Sequence, residues 1–147
     1  MADDKFECEV PQHHSTSDEI REILTGYKNI AVVGLSTYES KPSYKVAAYM
    51  QNAGYRIIPI HPKASEILGE KAYRNLRELP EGHGVEIVDV FRRPDAVMEH
   101  VEEAIDIGAK VVWFQEGVIN NPAAARAKEA GLLVVMNRCL LKEHGGL

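Results

Sequence analysis

The stretch Asn29-Ile30-Ala31-Val32-Val33-Gly34 decides how this chain is read. It is a short apolar run closed by a glycine, with no polar residue alternating through it. Such a run suits a strand covered on both faces, as in a parallel sheet, rather than one with a wet face. The same kind of run returns as Tyr55-Arg56-Ile57-Ile58-Pro59-Ile60, Val85-Glu86-Ile87-Val88-Asp89-Val90, Lys110-Val111-Val112-Trp113-Phe114 and Leu132-Leu133-Val134-Val135-Met136.

Amphipathic stretches separate these runs. Ile20, Ile23, Leu24 and Tyr27 stand at helical spacing behind Thr16-Ser17-Asp18-Glu19, which fits a capping box, and Gly26 is a natural stop. Val46, Tyr49, Met50 and Ala53 precede Gly54, and Val97, Val101, Ala104 and Ile105 precede Gly108. Asn121-Pro122 opens a further helix with a small apolar face, Ala124 and Ala127, closed by Gly131. Strands alternating with helices predict an α/β, Rossmann-like, doubly wound parallel sheet in three layers. A short extra strand around Lys71-Ala72-Tyr73 brings the count from five to six. The expected order is 3-2-1-4-5-6, with the crevice between strands 1 and 4. Residues 1–15 have no periodicity and read as a flexible arm, so residues 16–147 form one domain.

The chain has 147 residues, enough for one domain with a core of its own. Cys8 and Cys139 are too few for a disulfide framework or a cysteine-rich zinc site. His13-His14 in the polar arm is more often solvated than metal-bound, and His61, His83 and His100 show no ligand spacing, so no metal is expected. The acidic N-terminus lacks the apolar core of a signal peptide, and no run reaches the ~18 residues of a membrane span. The expected location is cytoplasmic, with no membrane partner. Seventeen bases against 22 acids give a net charge of −5, which offers no global attraction to nucleic acid. The distribution is uneven, however. Residues 28–77 hold eight bases and three acids, a local net of +5 in a chain whose total is negative.

In open α/β sheets ligands bind outside the carboxyl ends of the strands. The first such loop runs from Gly34 to Ser43. Gly34 permits a tight turn, Ser36 and Ser43 are hydroxyl donors, Lys41 adds charge, and Pro42 presets a helical turn whose free N–H groups face the crevice. This is neither the G-x-G-x-x-G fingerprint nor a P-loop. At the second strand end stands Ile60-His61-Pro62-Lys63. A domain that binds NAD usually has an acid there for the ribose hydroxyls, whereas Lys63 would attract a phosphate. That disfavours NAD and leaves NADP or coenzyme A. A histidine beside proline, such as His61, is more often structural, but it sits in the same group. Phe91-Arg92-Arg93-Pro94, two arginines and a proline opening a helix, suits an anion or a stacked adenine, with one arginine free to pair with Asp95 or Glu86 instead. Gln115-Glu116-Gly117-Val118 is a turn able to offer N–H groups. Cys139 and His144 resemble a nucleophile and base only superficially; packing or capping is the plainer role for both.

Together these segments resemble the small stand-alone CoA-binding proteins, whose domain is similar to the N-terminal CoA-binding domain of the succinyl-CoA synthetase alpha subunit. The resemblance covers residues 16–144 and is carried by Ile30–Ser36 leading to Lys41-Pro42-Ser43, by Ile58–Lys63, by Val88–Arg92, by Trp113–Val118, and by the tail Val135–Leu140. It implies that Gly34 and Ser36 face the CoA pyrophosphate, with Lys41, Pro42 and Ser43 on the helix that caps it. His61 joins the cofactor-binding set, and Lys63 would meet the adenosine 3′-phosphate. Phe91 and Arg92 would flank the adenine or ribose; Gln115, Glu116 and Gly117 would border the pantetheine. The synthetase's T-G-x-x-G loop is absent, and so is a counterpart of its phosphohistidine domain, so the expectation is CoA or acyl-CoA binding without a reaction of its own. A small NADP-binding oxidoreductase and a CoA-thiol redox protein using Cys139 are the alternatives. A further protein partner or a homodimer stays open.

Overall fold

All five apolar runs are strands. They form β1 (Asn29–Val33) and β2 (Arg56–Ile60) and, after two short strands β3 (Glu66–Ile67) and β4 (Glu70–Lys71), β5 (Ile87–Val90), β6 (Val111–Phe114) and β7 (Leu133–Met136). The computed structural model describes residues 11–147. The five longer strands make one parallel sheet in the order β2-β1-β5-β6-β7. The helices are α1 (Ser17–Gly26), α2 (Pro42–Asn52), α3 (Met98–Asp106), α4 (Asn121–Glu129) and α5 (Leu140–Gly145).

Alternation along the buried strands sorts the core into two halves. Ile30, Val32, Ile57, Ile87, Val111 and Trp113 pack under α1, α2 and α5, through Leu24, Met50 and Leu140 among others. Ala31, Val33, Ile58, Val88, Val112 and Phe114 pack under α3 and α4, through Val101, Ala104 and Ala127. Both faces of the sheet are therefore covered, which is why its strands read as unbroken apolar runs. The capping box is present: Glu19 N–H donates to Thr16 Oγ1 (3.1 Å) and Thr16 N–H to Glu19 Oε1 (2.7 Å).

Two expectations need correction. The extra strand at residues 71–73 shrinks to a single parallel bridge, Tyr73 against Ile60 at the outer edge of β2. His61 N–H donates to the Tyr73 carbonyl (2.9 Å) and Tyr73 N–H to that of Pro59 (3.0 Å). The ladder cannot lengthen either way, because Pro59 has no N–H and Lys63 N–H is turned onto the His61 ring. The main sheet therefore has five strands, and the preceding residues fold back as the β3–β4 hairpin. The second correction concerns Pro94. It opens a 3-10 turn over Pro94–Ala96, and α3 begins only at Met98.

Of the N-terminal arm, residues 1–10 lie outside the described residues. The rest touches the body: Gln12 N–H donates to Asn121 Oδ1 (2.8 Å) and Ser15 Oγ to the Val134 carbonyl (3.0 Å).

Candidate functional site

β1 and β5 are adjacent, yet their chains leave the sheet toward different layers, β1 toward α2 and β5 toward α3. A crevice must open between them. Its width is set by Gly34, which sits at φ +85° where a Cβ would collide with the Phe91 carbonyl oxygen. Phe91 N–H donates to the Val33 carbonyl (2.8 Å), so the two loops leave the sheet in contact.

Beyond Gly34 the loop folds on its own polar groups. Ser36 N–H donates to Ser43 Oγ (2.9 Å), Tyr38 N–H to Ser36 Oγ (3.0 Å), and Lys41 N–H to the Tyr38 carbonyl (3.1 Å). Both serine hydroxyls, expected as donors, thus act as acceptors within the loop, and their own protons are left to donate outward. Lys45 N–H closes the first α-helical bond, onto the Lys41 carbonyl (3.1 Å). Pro42 has no N–H, and those of Ser43 and Tyr44 precede the first turn.

A cleft of about 330 Å³ lies here, between the β1 loop, Phe91-Arg92-Arg93 after β5, and Gln115, Glu116 and Val118 after β6. Its charges are of two kinds. Arg93 faces Asp95 (3.4 Å), and Glu116 accepts from Lys142 Nζ of α5 (3.0 Å). Lys41 and Arg92 are exposed and have no ion-pair partner among the described residues. Both line the cleft. The loop after β6 is fixed from β7 as well: Gly117 N–H donates to Asn137 Oδ1 (2.8 Å), and Asn137 holds a left-handed φ of +62°.

Beneath the floor lies a carboxyl group. Asp89 is fully buried on β5, between Val32 of β1 and Trp113 of β6. Gln115, also buried, donates Nε2–H to its Oδ1 (2.8 Å), while Oδ2 has no partner among the described residues. Burial holds the Asp89 pKa well above the usual carboxylate range, and the Gln115 bond acts the other way.

The expected site residues fall into two groups. Gly34, Ser36, Lys41, Pro42, Ser43, Phe91, Arg92, Gln115 and Glu116 all line the cleft. Gly117 belongs to the same turn but not to the lining. His61 and Lys63 stand at the carboxyl end of β2, outside the lining. His61 Nδ1 accepts from Lys63 N–H (3.0 Å) and Ala64 N–H (2.8 Å), a structural cap on the turn. Cys139 is the N-cap residue of α5 and does not line the cleft; His144 bonds Tyr49 Oη through Nδ1 (2.9 Å) and packs on Tyr55. Val118, which stands in the same turn as Gln115, also lines the cleft without being among the expected binding residues, and Asp89 has no role in the sequence reading. For Asp89 the signal is an acid within the Ile87–Val90 part of its run, where every other residue is apolar.

A larger cavity, about 530 Å³, lies between α1 and β7, lined by Glu19, Glu22, Lys128 and Leu133 among others. It is away from the strand carboxyl ends and its glutamates outnumber its lysine, so size does not make it the anion site.

The chain is similar to known proteins in sequence and fold. The model of a family described as "CoA binding domain" matches residues 28–145. An "Uncharacterized protein YneT" of Bacillus subtilis is 43% identical over 126 residues, covering 86% of this chain and 92% of that one. A "hypothetical protein from Pyrococcus horikoshii OT3" of known structure is 44% identical, with a TM-score of 0.87 over 96% of this chain and 98% of that one. An "Acetate--CoA ligase [ADP-forming]" of Methanocaldococcus jannaschii is 29% identical over 76 residues, 52% of this chain but 10% of the ligase.

Proposed function

This chain belongs to the CoA-binding domain family, and from that premise we propose that its cleft binds coenzyme A or an acyl-CoA without catalysing a reaction by itself. The observation that carries the reading is the pair of cations, Lys41 and Arg92, without an ion-pair partner among the described residues, that line a cleft at the switch point of the sheet. The pyrophosphate lies along Gly34 and Ser36, against the N–H groups and positive end of α2. Phe91 and the Arg92 plane flank the adenine or ribose. Lys63, one strand further out with His61 shaping its turn, meets the 3′-phosphate. The pantetheine leaves past Gln115, Glu116 and Gly117, toward β6.

The assignment is tested by thermal shift with CoA, 3′-dephospho-CoA, NADP and NAD. CoA should stabilise most. Dephospho-CoA should stabilise less if Lys63 reads the 3′-phosphate, and NAD least. Stabilisation by NADP with none by CoA overturns the reading in favour of a nicotinamide enzyme.

A further inference from the structure

Gln115 reaches the cleft, but its amide is anchored from below. Among the described residues one polar side chain bonds it: Asp89, whose Oδ1 receives Nε2–H at 2.8 Å. Val32 and Trp113, the sheet neighbours of Asp89, offer nothing polar toward it, since the Trp113 Nε1–H is committed to the Arg138 carbonyl (2.8 Å). A buried carboxyl group with an unpartnered oxygen is expensive, and an apolar residue would pack in the same layer.

We propose that Asp89 is a positioning residue for the cleft: by holding Gln115 through Nε2, it fixes which end of the amide meets the ligand. With Nε2–H committed below, the carbonyl oxygen Oε1 is left for the cleft. An acceptor there repels phosphate oxygens and selects an N–H donor. Gln115 follows β6, two strand spacings or about 10 Å from the phosphate-facing loop of β1. The N–H group at that distance belongs to the amide-bearing pantetheine segment, so Asp89 acts on recognition of the tail and not of the nucleotide. This inference rests on the CoA reading.

Calorimetric titration of CoA and of its nucleotide half, 3′-phosphoadenosine 5′-diphosphate, separates the two. In Asp89→Val, CoA should bind about five- to tenfold more weakly, as for one lost hydrogen bond, with the nucleotide half unchanged. Asp89→Asn, which still offers an acceptor to Nε2, should restore CoA affinity. Gln115→Leu should reproduce the loss, and adding Asp89→Val to it should cost nothing further; this second variant carries the test if Asp89→Val does not fold. Equal weakening of both ligands, or unchanged CoA affinity in Asp89→Val or in Gln115→Leu, overturns the proposal. A wild-type protein that binds the nucleotide half as tightly as CoA also overturns it while sparing the nucleotide site. Wild-type protein that binds neither ligand removes the CoA reading itself, and the role of Asp89 with it.

Discussion

Asp89 shows how much one residue can carry that its neighbours in sequence do not announce. Its carboxyl group is surrounded by apolar side chains and one amide, and no charged group contributes to its shift; burial comes first and the Gln115 bond opposes it. The folded-state pKa is therefore raised above the unfolded value of about 3.9. Below that value both states hold the proton and Asp89 carries no ionisation penalty. As pH rises, the unfolded chain releases its proton while the folded chain retains it, so stability is lost progressively up to the raised folded pKa. Asp89→Asn cannot titrate. Its melting temperature should match that of the wild type near pH 4 and move steadily above it toward pH 7. A difference that stays flat across this range would mean that Asp89 is ionised in the fold. The acid was visible in the run Val85–Val90, but its partner lies 26 residues away on another strand, and only the sheet brings them together.

Elements were more legible than the links between them. Each long strand is buried on both faces, so its apolar run had no competing reading, and Gly26, Gly54, Gly108 and Gly131 fall at or just past the ends of α1 to α4. The β3–β4 hairpin carries no turn signal in its sequence, because its turn is Leu68-Gly69, with Leu68 at φ +56° where Asn or Asp is the usual residue. The loop after β6 is likewise fixed by contacts remote in sequence. Its Gly117 N–H is held by Asn137, and Glu116 by Lys142 of α5. Asn137→Gly keeps the left-handed backbone and removes only the acceptor. Global stability should change by less than about 1 kcal/mol, whereas amide exchange at Gly117 should accelerate and CoA affinity fall about threefold. Protection of the Gly117 amide equal to wild type would show that the turn holds without β7.

At the scale of the whole molecule, charge makes opposing predictions according to where it is counted. The chain carries a net −5, so a polyanion such as CoA should be repelled, and salt should tighten its binding by screening that repulsion. Residues 28–77 carry a net +5, however, and they include the Gly34–Ser43 loop, Lys41 at the head of α2 and Lys63 after β2. The Debye length is about 10 Å at 0.1 M salt, so charges beyond the cleft are screened and the local cations dominate. Affinity for CoA should therefore fall, roughly fivefold between about 0.05 and 0.5 M salt. Lys41→Ala should weaken binding about tenfold at low salt, as for a charge-assisted hydrogen bond, and flatten the dependence. Affinity that rises with salt would mean that the acidic N-terminal segment and not the cleft sets the field, because residues 1–27 alone carry a net −5.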